Sequence, residues 1–244
     1  MFKAISGVGV ELEGLWYGMP EYFKEDGSVE FDGPHEYNDC GCYESSCEEC
    51  SEFSAVEDGR YIGEVASDIL YTENEINSFI KWEHPNQVNY SCGLHVHTSF
   101  KDIDDYSRLT SKHFYDHFRK ELFKWGQKNC PNKATFFSRL AGENTYCETG
   151  HYPSRQMGLD QGYSRYAILN YCWQDHNTLE CRVLPMFQDK LKSLEAVKAV
   201  LTIYEKYLSN PKNNWESAGK SRILIPKGKR KNSRIEKYQV SKHQ

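Results

Sequence analysis

Five residues, Leu179-Glu180-Cys181-Arg182-Val183, constrain this chain more than any other stretch. They alternate apolar and charged, which is the pattern of a β-strand with one buried face. Residues two apart in a strand share a face, about 6.5 Å apart. Glu180 and Arg182 therefore project together, and Leu179, Cys181 and Val183 project the other way. The preceding Arg165-Tyr166-Ala167-Ile168-Leu169-Asn170 also reads as a strand, and residues 174–177 supply a hairpin-like turn. A carboxylate beside a guanidinium on a sheet face suits a metal ion held next to a phosphate. It equally suits a cross-strand ion pair on a solvated face.

Two further stretches carry the same alternation. Gly7-Val8-Gly9-Val10-Glu11-Leu12-Glu13 is a short apolar strand with Glu11 and Glu13 on one face. Like charges at that spacing repel unless a cation accompanies them. Cys92-Gly93-Leu94-His95-Val96-His97-Thr98-Ser99-Phe100 places His95, His97 and Ser99 together. A single histidine is commonly a structural residue; two on one strand face, with acid-bearing strands elsewhere, read as ligands. A fourth strand, Tyr61-Ile62-Gly63-Glu64-Val65-Ala66, carries Glu64 as its candidate functional carboxylate.

In order along the chain, these motifs resemble the glutamine synthetase superfamily of carboxylate–amine ligases, and more closely its small amidoligase branch. The matching elements are Glu11-Leu12-Glu13, Glu64-Val65-Ala66-Ser67, His95-Val96-His97, Phe136-Phe137-Ser138-Arg139, the stretch from Arg165 to Asn170, and Glu180-Cys181-Arg182. The resemblance covers roughly residues 4–208. The resemblance implies an α+β fold with a curved, mainly antiparallel sheet and helices on its outer face. It implies ATP and Mg²⁺ or Mn²⁺ as cofactors, and a carboxylate and an amine as substrates joined through an acyl phosphate. By the same resemblance Glu11, His95 and Glu180 hold the metal at the terminal phosphates, and Glu13 and Glu64 hold the metal near the substrate carboxylate. Arg182, Arg165 and Arg139 offset charge on the phosphoryl group, while His97, with Ser99 beside it on the strand, lies near the nucleotide phosphates. Hard cations favour oxygen ligands, and guanidinium fits phosphate geometry better than ammonium does. Cys181 stands where the family often has an aromatic residue; it faces away from Glu180, so the departure concerns packing.

The chain of 244 residues fits one large domain, since the motifs span most of it. Residues 1–218 form the expected catalytic domain, with a Cys-rich insertion at about residues 35–55, and residues 219–244 form a basic tail. Mean hydropathy is −0.75, yet aromatic residues make up 14%, a globular rather than disordered balance. No run of about 18 apolar residues exists, so no membrane span is expected. The N-terminus lacks a signal-peptide apolar region. We read the protein as cytoplasmic, with its nine cysteines as thiols or metal ligands rather than disulfides.

Within the insertion, Cys40, Cys42, Cys47 and Cys50 have the C-x-C-x4-C-x2-C spacing of a four-thiolate structural zinc site, with His35 as a substitute ligand. The alternative is an exposed acidic loop of free thiols. Net charge is −5, but residues 220–244 hold nine Lys or Arg against one acid. That tail is either solvated or an arm for nucleic acid or an acidic partner.

Apolar spacing predicts helices over residues 68–82, interrupted near 72–74, over 106–129 and over 191–208. His113 and His117 lie in the second of these and read as surface or groove residues rather than ligands. Two other function classes fit the motifs less fully. One is a phosphotransferase on the same sheet; the other is a non-enzymatic zinc and nucleic-acid binding protein using the Cys-rich loop and tail.

Overall fold

In the computed structural model of the chain, residues 2–21, 23–25, 56–57, 60–144, 147, 167–172 and 178–213 are described. The first strand, β1 (Ile5–Tyr17), organises them. It is long enough to serve two neighbours. Its first half, through Leu12, pairs with β5 (Gly93–Phe100), and its second half, from Glu11, pairs with β4 (Arg60–Ala66). Glu11 and Leu12 are the positions paired on both sides, with His95 and Leu94 on one flank and Ala66 and Val65 on the other.

The sheet extends outward from this centre. The short strands β2 (Phe23–Glu25) and β3 (Val56–Glu57) both pair with β4. On the other side, β7 (Thr178–Pro185) pairs with β5, and β6 (Leu169–Cys172) closes that edge. The strand order is β2-β4-β1-β5-β7-β6, every pairing is antiparallel, and the sheet is open. The α+β class and the antiparallel sheet that the resemblance implies are therefore present.

Alternation gives the sheet two unlike faces. Val8, Val10, Leu12, Leu94, Val96, Leu179, Cys181 and Val183 are buried in one apolar cluster with the helices. That cluster takes Phe114, Phe118 and Leu122 from α3 (Lys112–Asn129) and Val197, Val200, Leu201 and Tyr204 from α5 (Lys190–Ser209). Each such side chain contributes about 1.5–3 kcal/mol by leaving water. Tyr204 stacks on Phe118 and meets Phe100 edge to face, fastening α5 and α3 to β5.

The helix boundaries differ from the sequence expectation in two places, each for a local reason. Residues 68–71 are not helical: Leu70 exchanges two backbone hydrogen bonds with Val8. The first helix, α1 (Glu73–Glu83), begins only at a capping box, where the Thr72 side chain accepts from the Glu75 amide and the Glu75 carboxylate accepts from the Thr72 amide. The long second helix is divided into α2 (Ile103–Leu109) and α3. At the break Ser111 is extended; its hydroxyl donates to the Arg108 carbonyl at 2.7 Å and accepts from the Phe114 amide at 3.1 Å. One hydroxyl thus ends α2 and starts α3. The Phe136 stretch, open to either a helix or a strand on sequence, is helix α4 (Ala134–Ala141). It packs against α3 at Gly126, where a Cβ would lie 2.2 Å from the Phe136 ring.

Candidate functional site

The face of the sheet turned away from the helices collects the polar side chains. Glu11 and Glu13 from β1, Glu64 from β4, His95 and His97 from β5, and Glu180 and Arg182 from β7 all project there, each by strand parity. Asn170 and Cys172 of β6 project to the same side, because Asn170 pairs with Glu180 and Cys172 with Thr178. Burial is unusual for such groups: Glu13, Glu64, His95 and Glu180 are all buried, Glu180 at 2% exposure.

The side chains interlock. The His95 ring lies between two carboxylates, with Nδ1 3.1 Å from Glu11 Oε2 and Nε2 3.3 Å from Glu13 Oε1. His97 Nε2 lies 3.1 Å from Glu11 Oε1 and 3.8 Å from Glu180 Oε1, while its Nδ1 meets Thr178 Oγ1 at 3.2 Å. Glu180 is the most heavily engaged group. Its Oε1 lies 2.6 Å from Arg182 Nη1 and 3.8 Å from His95 Nδ1. Its Oε2 accepts from Asn170 Nδ2 at 3.0 Å and from the Cys172 thiol at 3.4 Å. Glu13 also accepts from the Gly93 amide. Gly93 is required there: a Cβ would fall 2.5 Å from His95 Nε2 and 3.0 Å from Glu13 Oε2.

The electrostatics follow from burial opposed by partners. For Glu11 burial acts to raise the pKa, but hydrogen bonds and charge from His95 and His97 outweigh it and hold the carboxyl far below its usual range. Glu180 is likewise lowered, with Arg182, His97 and His95 overcoming burial. His97 is raised, because Glu11 and Glu180 outweigh the burial that alone would lower it. Burial and the nearby Glu180 carboxylate push the Cys172 thiol upward.

Two sets of ligand atoms lie within 4.8 Å of one another: Glu11, His95 and Glu180, and His97, Cys172 and Glu180. The first is the trio that the resemblance implies for the metal at the phosphates. The donor chemistry fits a divalent ion. Among the described residues, four acids gather around Arg182 and Lys24, whose Nζ lies 2.8 Å from Glu64 Oε1, so the described carboxylates there outnumber the described permanent cations. His95 has a carboxylate at each ring nitrogen, an arrangement of nitrogen and oxygen donors that suits a divalent ion. Buried excess charge of this kind is costly unless compensated.

The remaining expected residues are placed as follows. Ser99 lies further along β5 on the same face, where its hydroxyl donates to the Gly7 carbonyl at 3.2 Å and accepts from Ser6 at 2.9 Å. Ser67 of the E-x-x-S element accepts from the Val10 amide at 2.9 Å and so ties β4 to β1. Arg139 is not brought into the carboxylate–imidazole cluster. Its guanidinium, 1% exposed, donates to the carbonyls of Tyr90, Ser91 and Cys92 at 2.9–3.3 Å, clamping the chain where it enters β5. Burial lowers its pKa from the usual guanidinium value. Arg165, Cys40, Cys42, Cys47, Cys50 and the basic tail lie outside the described residues. His113 is exposed and meets Tyr207 OH at 2.8 Å, in keeping with a surface role. Cys172 was not among the expected ligands; its strand alternation with Asn170 is the signal that points to it.

Comparison with protein-family models, with curated proteins and with solved structures finds no match to this chain. Among the described residues no helix is long and apolar enough to cross a membrane.

Proposed function

We propose that the chain is an ATP-dependent carboxylate–amine ligase with a glutamine synthetase-like sheet. The observation that carries this reading is the convergence of Glu11, His95 and Glu180, from three different strands, with ligand atoms within 4.8 Å of one another and Arg182 against Glu180. The family resemblance independently implies a place for these four residues at one metal–phosphate centre.

Forming an amide from a free carboxylate is uphill in water, and transfer of a phosphoryl group to that carboxylate makes it reactive toward an amine. A divalent ion, when bound, screens the charge on the nucleotide phosphates and on the transferring group. Glu11, His95 and Glu180 are the residues that would hold that ion at the terminal phosphates, and Glu13 and Glu64 the ion nearer the carboxylate substrate. Arg182, oriented by Glu180, is the guanidinium that would offset charge on the phosphate oxygens. His97, held by Thr178 on one nitrogen, directs the other toward the same space. Arg165 belongs to the phosphate-binding set by its motif position. Arg139 serves by positioning: it fixes the entry to β5, and with it His95 and His97. Catalysis would rest on orientation and charge stabilisation, as in other phosphoryl transfers.

No described residue favours the phosphotransferase reading over this one, and the zinc and nucleic-acid reading rests on segments outside the described residues. The test is turnover by the full chain with ATP and Mg²⁺ or Mn²⁺ across a panel of amino acids and amines. The expected result is amine-dependent ADP release, with hydroxylamine trapping the activated carboxylate, and loss of both in Glu180→Gln. ATP turnover retained in a folded Glu180→Gln protein would contradict the assignment.

A further inference from the structure

The second ligand set has a different chemistry from the first. Glu11, His95 and Glu180 offer two oxygens and one nitrogen, a combination compatible with Mg²⁺ or Mn²⁺. His97, Cys172 and Glu180 offer one nitrogen, one sulfur and one oxygen, again with ligand atoms within 4.8 Å of one another. Thiolate and imidazole together favour borderline ions such as Zn²⁺ over hard ones, and three protein ligands with an open fourth position are a common zinc arrangement.

We infer that His97, Cys172 and Glu180 form a second divalent-cation site that takes a thiophilic ion, Zn²⁺ or Cd²⁺, in preference to Mg²⁺. Three strands build it: His97 comes from β5, Cys172 from β6 and Glu180 from β7. The pairing registers bring them together, with Glu180 opposite His97 on one side and opposite Asn170 on the other. Glu180 stands between the two sets: Oε1 lies 3.8 Å from both His95 Nδ1 and His97 Nε2, and Oε2 lies 3.4 Å from Cys172 Sγ. Thr178 Oγ1, 3.2 Å from His97 Nδ1, orients the imidazole so that Nε2 faces the site, the outer contact usual for a metal-binding histidine. Asn170 Nδ2, 3.0 Å from Glu180 Oε2, steadies the carboxylate in the same way. On binding, the metal–sulfur bond forms, the S–H bond breaks, and the proton passes to solvent; no electron transfer is involved. Because Glu180 belongs to both sets, a thiophilic ion here alters the environment of the oxygen-rich set beside it.

The inference needs no nucleotide chemistry. A failed ligase assay leaves it standing, and a missing zinc–Cys172 contact leaves the ligase reading standing. The experiment measures alkylation of Cys172 by iodoacetamide in the unmodified full chain, mapped by mass spectrometry, with no metal, with Mg²⁺, with Mn²⁺ and with Zn²⁺. Zinc is expected to slow alkylation at Cys172 by about tenfold or more, Mg²⁺ and Mn²⁺ to leave it nearly unchanged, and His97→Gln to abolish the protection. Equal protection by Mn²⁺, no protection by Zn²⁺, or full protection in His97→Gln would overturn the proposal. Cadmium supplies an independent readout. The thiolate-to-Cd²⁺ absorption of the full chain is expected to fall by one thiolate's share in Cys172→Ser, and an unchanged band would overturn the assignment equally.

Discussion

Arg182 Nη1 lies 2.6 Å from Glu180 Oε1, although the two residues are neighbours on one strand face rather than partners across strands. Same-strand pairs two residues apart are widely separated at Cα, so both side chains must lean together. Arg182 is 19% exposed and Glu180 3% exposed in their side chains, so the contact is largely shielded from water. The pair presents a guanidinium whose orientation is fixed by an acid that also belongs to both ligand sets.

Arg182→Ala removes the cation nearest to a buried carboxylate. The expected cost is about 3–5 kcal/mol of folding stability, the usual penalty for breaking a buried pair. Mn²⁺ should recover part of it, because the ion compensates Glu180 in place of the guanidinium. Urea unfolding with and without Mn²⁺ measures both effects; a variant as stable as the parent would show that Glu180 does not depend on Arg182.

The titration shifts give a pH dependence with a definite sign. His97 has its folded-state pKa raised. Its contribution is therefore fully present below the ordinary imidazole value of about 6.5 and fades as pH rises through the elevated folded value. Glu11 is lowered, so its contribution is present above the ordinary carboxylate value of about 4.3 and is lost as pH falls through the folded value. The metal-free protein should thus gain most from this pair in mildly acidic solution and lose that gain on the alkaline side. Comparing Tm against pH for the parent and His97→Gln isolates the effect. The parent's alkaline decline should shrink in the variant; superimposable profiles would rule out the coupling.

Metal binding should run the opposite way with pH. An ion displaces the proton that His97 otherwise carries. Affinity for Zn²⁺ at the set of His97, Cys172 and Glu180 is expected to rise between mildly acidic and mildly alkaline pH, with protons released on binding. Calorimetry in two buffers of different ionisation enthalpy measures the release, and pH-independent affinity without proton release would contradict it.

Gly126→Ala should destabilise the helical layer although alanine is the better helix former. Propensity favours alanine by about 1 kcal/mol, but the added Cβ would meet Phe136 Cε1 at 2.2 Å. Overpacking of this kind costs about 1–3 kcal/mol, so the clash decides the sign. Thermal unfolding should show a lower Tm, partly restored by pairing the change with Phe136→Leu. A raised Tm would mean that α4 can move away freely.

How much of this was legible in the sequence depends on the range of the interaction concerned. Strand alternation places Glu11 with Glu13, His95 with His97, and Glu180 with Arg182, because parity is local. The side facing the helices is equally legible from Val10, Leu12, Val96 and Cys181. Helix ends are less so. The apolar spacing of Phe114, Phe118 and Leu122 can be extended upstream, and nothing in that period marks the break that the Ser111 hydroxyl makes. Residues 68–71 look helical by spacing, yet Leu70 is drawn to Val8 by a backbone pairing. Cys172 and Asn170 acquire their meaning from the β6–β7 register, a non-local property. Arg139 illustrates the remaining limit: a motif supplies the residue, but only the tertiary structure turns its guanidinium onto the carbonyls of residues 90–92.

The central claim is that Glu11, His95 and Glu180 hold one divalent ion between three strands. The most direct test is Mn²⁺ binding to the full chain by calorimetry, comparing the parent with Glu11→Gln and His95→Gln, each checked for folding by circular dichroism. Each substitution should weaken Mn²⁺ by at least about tenfold while the fold persists; folded variants that bind Mn²⁺ as the parent does would contradict the account.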